Sequence, residues 1–314
     1  MDYMEHNIIF GNGINIEFGG FDNYSNKAIM SRLMENIKSD KYKNIFKGIS
    51  NRELLESIDG LFNIVKDISK WANYADGLFM LMKIERIKNL YDENSKIEDI
   101  GLEDIFIAVE LLSNKYKDDE RFRYKINREL QMLMLDAIYN DGNINTVDYT
   151  NEMQQFLLKY SHVFTINYDT NLDRYYDGVM HLHGRFDSLA PEYDGNSLFV
   201  QENPNENFSR DVIVGYEYMF SNTIMSWYWL EKYGHWIDSE RTFGADSFKN
   251  MSGHLDIVGM SPCNDEHLFL MINQSQLKNV TYYYRSEKDR ASMSKKIQKP
   301  ITYTHVDKFW SKIK

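Results

Sequence analysis

A chain of 314 residues can hold one large core or two modest ones. Hydrophobic residues at 43% and aromatic residues at 14%, with 4 prolines and 17 glycines and no Ser-, Gly- or Pro-rich tract, exclude a disordered arm or a flexible linker. The net charge of −11 argues against a protein that wraps nucleic acid, and the single cysteine, Cys263, excludes an internal disulfide and a Cys-rich zinc site. A reducing cytoplasm is the expected setting. The opening segment, MDYMEHNIIF, carries acidic residues and a short apolar run, matching neither a secretory signal nor an anchor. No later run has the apolar length of a membrane span, so no membrane partner is expected.

The first apolar run, Asn7 to Phe10, leads straight into Gly11-Asn12-Gly13, which predicts a strand, a tight turn and then a helix. From Ser31 to Tyr160 the apolar positions recur at helical spacing, as in Leu54, Leu55, Ile58, Leu61, Phe62, Val65 and Ile68, then Leu78 to Leu90, Ile105 to Leu112 and Leu130 to Ile138. Strands return at Val163 to Ile166, Val179 to Leu182, Val212 to Val214, Leu255 to Met260, Val280 to Tyr284 and Ile301 to Thr304, with a helix over Asp265 to Asn273. Strands alternating with helices predict an α/β fold, a Rossmann-like, mostly parallel sheet with helices on both faces. The helical block reads as a large insertion after the first strand, so residues 1–30 and 161–314 form the α/β domain and 31–160 the insertion.

Four segments at strand ends can carry chemistry. Gly11, Asn12 and Gly13, with Asn15 close behind, let the backbone approach a pyrophosphate at a helix start, or serve only a turn that needs positive φ. Thr165-Ile166-Asn167-Tyr168-Asp169 leaves a strand where open α/β sheets place binding groups. Asn167 can hold a hydroxyl or a water and Asp169 can orient a loop or ligand, while an Asx turn is the structural alternative. In His181-Leu182-His183-Gly184, alternation puts both histidines on one side of the strand. Asp177 and Asp187 stand at no recognised ligand spacing, so no metal is expected; His181 reads as a buried structural histidine and His183 as the one with room for a ligand. Gly259-Met260-Ser261-Pro262-Cys263-Asn264-Asp265 offers Ser261 and Asn264 to a phosphate or ribose, with a helix cap at Asn264 or Asp265 as the alternative; Cys263 reads as a small buried residue.

GNGIN, TINYD, HLHG and GMSPCND follow one another in an order that resembles the sirtuin family. The resemblance covers about half the chain, the first 30 residues and those after Val163. It implies NAD⁺ as the ligand, with Gly11, Gly13 and Asn15 at its phosphates, Asn167 and Asp169 at the nicotinamide ribose, His183 as the base, and Gly259 and Ser261 at the far side of the cofactor. Two departures count: the single cysteine cannot build the four-cysteine zinc ribbon of protein-deacylating sirtuins, and the first motif lacks their GAG opening. The chain is more similar to the bacterial sirtuin-like proteins of antiphage defence, including the abortive-infection type with its similar Gly-Asn-Gly start.

What that resemblance implies is hydrolysis of NAD⁺ to nicotinamide and ADP-ribose, with Asn167, His183 and Asp169 as the catalytic set. Asn12, Thr165 and Asn264 join the cofactor-binding residues. A free NAD⁺ hydrolase is toxic to its own cell, so regulation through homo-oligomerisation, a partner defence protein, a phage trigger protein or a small signal is expected. The alternative is a NAD⁺- or nucleotide-binding sensor with little turnover, and a protein deacylase is a third reading. The aromatic cluster Tyr216, Tyr218, Phe220, Trp227, Tyr228, Trp229, Tyr233 and Trp236 reads as core or pocket wall, or else as a subunit surface. Among Tyr282, Tyr283 and Tyr284, sheet packing is the first reading and stacking on an adenine the second.

Overall fold

A computed structural model of the chain describes residues 5–39, 51–75, 77–116, 118–119, scattered positions from 133 to 144, and then 146–182, 188–189, 237–238, 244–263 and 265–314. The chain divides into two compact units, Met1–Gly20 with Asn145–Lys314, and Phe21–Ile144. The expected strand Val212 to Val214 and the aromatic cluster from Tyr216 to Trp236 lie outside the described residues.

The first unit is built on a six-stranded sheet in the order β3-β2-β1-β6-β7-β8. Its strands are β1 (His6–Phe10), β2 (His162–Thr165), β3 (Val179–His181), β6 (Ser252–Val258), β7 (Gln276–Tyr284) and β8 (Ile301–His305). All five pairings are parallel. A parallel sheet buried on both faces needs near-continuous apolar runs, and Ile8, Ile9 and Phe10 of β1 are completely buried. Two further strands, β4 (Ser188–Leu189) and β5 (Ile237–Asp238), pair with each other alone. At two residues each, they are too short to show a period in sequence.

Both faces of the sheet are covered. On one, Ile9, Phe164, Leu255 and Ile257 pack with Phe248 and Phe269 from α8 (Ala245–Asn250) and α9 (Glu266–Gln274). On the other, Phe10 and Tyr283 meet Phe309 at ring distances of 6.0 and 4.9 Å, and Phe156 joins at 5.3 Å. Those two phenylalanines stand on α11 (Asp307–Trp310) and α7 (Met153–Leu157). Crossover helices therefore place apolar side chains against each face, as doubly wound folds require. The remaining α-helices among the unit's described residues are α1 (Gly13–Gly19) and α10 (Glu287–Met293).

The second unit is helical in its described residues: α2 (Phe21–Tyr24), α3 (Asn26–Lys38), α4 (Asn51–Lys66), α5 (Gly77–Leu90) and α6 (Leu102–Lys115), with 3₁₀ turns at Ile68–Tyr74 and Ile97–Asp99. The side chain of Ser25 caps α3 by accepting from the Ala28 N–H at 3.1 Å. Met30, Leu33, Ile37, Leu61 and Ile84 are buried. Asp104 ties the unit together, accepting from Arg86 and, at 2.7 Å, from the Tyr91 hydroxyl. The unit boundaries fall after residues 20 and 144, where the sequence placed them at 30 and 160. Residues 145–160 contain the short amphipathic α7, whose helical period shows an apolar face without showing which core receives it. Among the described residues, no helix is long and apolar enough to cross a membrane.

Candidate functional site

The order 3-2-1-4-5-6, counted along this sheet, reverses direction between β1 and β6, and the loops leaving those two strands open the crevice where doubly wound folds bind ligands. These loops are the Gly11-Asn12-Gly13 turn and the segment from Gly259. The Gly11 N–H donates to the Val258 carbonyl and the Gly13 N–H to the Gly259 carbonyl, both at 2.9 Å. A Cβ on Gly13 would lie 2.4 Å from the Gly259 Cα, and one on Gly11 2.6 Å from the Gly259 carbonyl oxygen. Gly259 itself has φ of 66°, a left-handed value that favours glycine. The three glycines thus answer first to a backbone-to-backbone junction between the loops. The N–H groups of Gly11 and Gly13 are spent on it, so neither is aimed at a phosphate.

The second wall comes from β2 and the turn after it. Thr165 is buried, its hydroxyl donating to the Phe10 carbonyl and accepting from the Asn167 N–H, both at 3.1 Å. That hydroxyl shapes the turn and faces no open space. Asn167 Nδ2 points to the Gly11 carbonyl at 3.4 Å, which sets its side chain beside the glycine turn, and its Oδ1 has no partner among the described residues. His181 is fully buried, with Nδ1 3.0 Å from the Asn167 carbonyl oxygen and Nε2 3.0 Å from Asp173 Oδ2. The expected structural role of His181 is therefore concrete: it holds the backbone of Asn167.

Behind this wall lies a buried polar network. Asn15 Nδ2 donates to Asp169 Oδ2 at 2.6 Å, and Asn15 Oδ1 accepts from the Tyr149 hydroxyl at 2.8 Å and from Asn171 Nδ2 at 3.3 Å. The Asn171 N–H donates to Asp169 Oδ1 at 3.0 Å, an Asx turn, and Asn171 Oδ1 accepts the Val147 N–H at 3.1 Å. Asn12 adds a long contact, its Oδ1 3.4 Å from Asn15 Nδ2. Burial raises the Asp169 carboxyl above its ordinary value; the donors on Asn171 and Asn15 and the charge of His181 pull the other way, and Asp173 adds to the rise. Asn15 and Asp169 bind each other, not open space, so the network positions the α1 start against the turn after β2. Sequence reasoning missed three of its supports, Asn171, Tyr149 and Asp173. Asn171 carries a signal, two residues past Asp169 at Asx-turn spacing, whereas Tyr149 and Asn15 lie 134 positions apart.

At the end of β6, Ser261 is exposed and its Oγ accepts from the Cys263 N–H at 3.2 Å, closing a short turn. Cys263 is exposed, correcting its assignment to the interior: it stands in that polar turn, past the buried end of the strand. Asp265 is the residue before α9 and makes no side-chain cap bond to it. Tyr282 is buried and donates to the Met260 carbonyl at 3.1 Å, and Tyr283 packs on Phe309, so both serve the sheet. His183, Gly184, Asp187 and Asn264 lie outside the described residues. The described part of the site can therefore offer a ligand Asn167 and Ser261 on a rigid glycine junction. Neither a protein-family model, nor a curated protein, nor a solved structure matches this chain.

Proposed function

We propose that the crevice between the β1 and β6 loops takes NAD⁺ and that the chain hydrolyses its nicotinamide–ribose bond, releasing nicotinamide and ADP-ribose. The observation that carries the reading is Asn167: it stands at the carboxyl end of β2 beside the switch point, is held from behind by His181, and keeps its side-chain Oδ1 unengaged among the described residues. The order of the four strand-end motifs supports the same ligand.

The chemistry asked of such a site is modest in covalent terms. Nicotinamide is a neutral leaving group from a cationic nucleoside, so the site must exclude water and stabilise an oxocarbenium-like ribose. Asn167 Oδ1 would accept a hydrogen bond from a ribose hydroxyl or from the attacking water. His183, with an unperturbed pKa of about 6.5, would take the proton that this water loses. Asn12 and Ser261 would meet polar groups of the dinucleotide, while Gly11, Gly13 and Gly259 shape its floor. Asp169 acts through Asn15 and Asn171, as a positioning residue. In a cell this reaction depletes NAD⁺ and suits antiphage defence, with self-association, a partner, a phage trigger or a small signal regulating it.

Nicotinamide release from NAD⁺ by the purified chain tests the proposal. Asn167→Ala and His183→Ala should each lower the rate by about 10²–10⁴-fold, the range for a lost acid–base or positioning group. Parent rates in both variants would remove the assignment. One observation favours a second reading, a NAD⁺-binding sensor: both carboxylate oxygens of Asp169 already accept from protein donors. NAD⁺ that raises the melting temperature of the wild type yet yields no nicotinamide supports the sensor.

A further inference from the structure

At the opposite, amino-terminal end of the strands, three side chains converge that the site above does not use. His6 opens β1, and His254 and Asp256 stand two apart on β6, so the pleat puts them on one face; the register sets His6 beside His254. His6 Nε2 is 3.1 Å from Asp256 Oδ2 and His254 Nε2 is 3.0 Å from Asp256 Oδ1. The three ligand atoms lie within 4.8 Å of one another. We propose that His6, His254 and Asp256 form a binding site for a divalent transition ion of the zinc class, with its open position toward solvent.

The donor set fits that ion. Tetrahedral Zn²⁺ with bonds near 2.0–2.1 Å needs ligand atoms roughly 3.3 Å apart; His6 Nε2 and His254 Nε2 stand 3.1 and 3.0 Å from the two different oxygens of Asp256, and one atom from each residue lies within 4.8 Å of the other two. The outer contacts also fit. His254 Nδ1 faces the side chain of Asn279, an outer partner that orients the ring with Nε2 toward the Asp256 carboxylate. The Tyr160 hydroxyl donates to Asp256 Oδ2 at 3.0 Å, fixing the carboxylate as ligating carboxylates commonly are fixed, and Thr281 Oγ1 lies 3.0 Å from His254 Nε2. The His6 side chain is 45% exposed and Asp256 5%, so an entry path and a buried anchor coexist. Gly253 makes the juxtaposition possible: at φ +75°, and with any Cβ there falling 2.1 Å from the Glu5 carbonyl oxygen, the position favours glycine where β6 closes on the entry to β1.

The test is metal titration of the full, tag-free chain after chelator dialysis, following Zn²⁺ by calorimetry and Co²⁺ by its visible d–d absorption. One equivalent is expected, with tetrahedral-type Co²⁺ bands, and His6→Gln should weaken binding at least 10-fold. His6 is half exposed, so this variant should keep the wild-type circular dichroism, and it decides the matter even where Asp256→Asn fails to fold. His162→Gln, on β2 and bonded to Asn7, should leave binding unchanged. Absence of saturable binding in the wild type overturns the proposal; so does binding that His6→Gln leaves intact.

Discussion

Asn15 and Asp169 are the best-defined polar pair at the candidate site, and they show why a residue can matter without touching a ligand. Truncating Asn15 to Ala leaves a buried carboxylate short of a donor and removes the acceptor to which the Tyr149 hydroxyl and the Asn171 amide donate. The cost should be about 1–3 kcal/mol in urea unfolding, or more because one partner is charged. The double variant Asn15→Ala/Asp169→Ala should cost less than the sum of the two single ones, since each removes the other's partner. Strict additivity would mean that the pair is not coupled. A pH test follows from the raised Asp169 value. Between the unfolded value of about 3.9 and the higher folded one, the native state holds more protons than the unfolded state, so stability falls as pH rises through that window. The stability margin of the wild type over Asp169→Asn should therefore shrink as pH rises above the unfolded value. A margin that widens would mean that the donors on Asn15 and Asn171 outweigh burial. None of this pairing was legible in the sequence beyond the Asx-turn spacing, because Asn15 and Asp169 are 154 positions apart and each is also a common turn residue.

Glycine roles become clear only when elements are placed together. In sequence, Gly11-Asn12-Gly13 and Gly259 looked like separate strand-end turns. In the fold they are two halves of one contact, and that contact fixes how α1 leaves β1. Gly13→Ala should cost about 1–3 kcal/mol or more, since the Cβ meets backbone that cannot swing aside. Gly60, inside α4, meets nothing within 4 Å, so Gly60→Ala should stabilise by roughly 0.5–1 kcal/mol through helix propensity. Equal effects at the two positions, read by thermal melts, would contradict the junction. Strands with continuous apolar runs, such as Ile8 to Phe10 and Leu255 to Val258, were readable because a sheet buried on both faces demands such runs. The ends were less so: β6 begins at Ser252 and β7 at Gln276, where side chains alternate between partial and full burial and ladder pairing, not hydrophobicity, extends the strand.

At the scale of the molecule, the placement of β1 governs both folding and the site. This five-residue strand lies in the middle of the sheet, pairing with β2 and β6, which arrive about 155 and 247 positions later. No local contact can hold it, so its pairing must wait for much of the chain, a slow step for a topology this non-local. Removing it would also uncover two inner strand edges at once, each a row of unpaired N–H and C=O groups. A chain that starts at Gly11 should therefore be recovered as aggregate, without a cooperative thermal transition. Loss of β8, which among the described residues is an edge strand paired with β7 alone, should weaken the unit without abolishing it. The switch point exists only because β1 separates the two halves, so the truncated chain should also fail to bind NAD⁺ by calorimetry. A soluble chain lacking residues 1–10 that melts cooperatively and still binds NAD⁺ would place the ligand elsewhere. The carboxyl ends of β1 and β6 would then lose their claim to it.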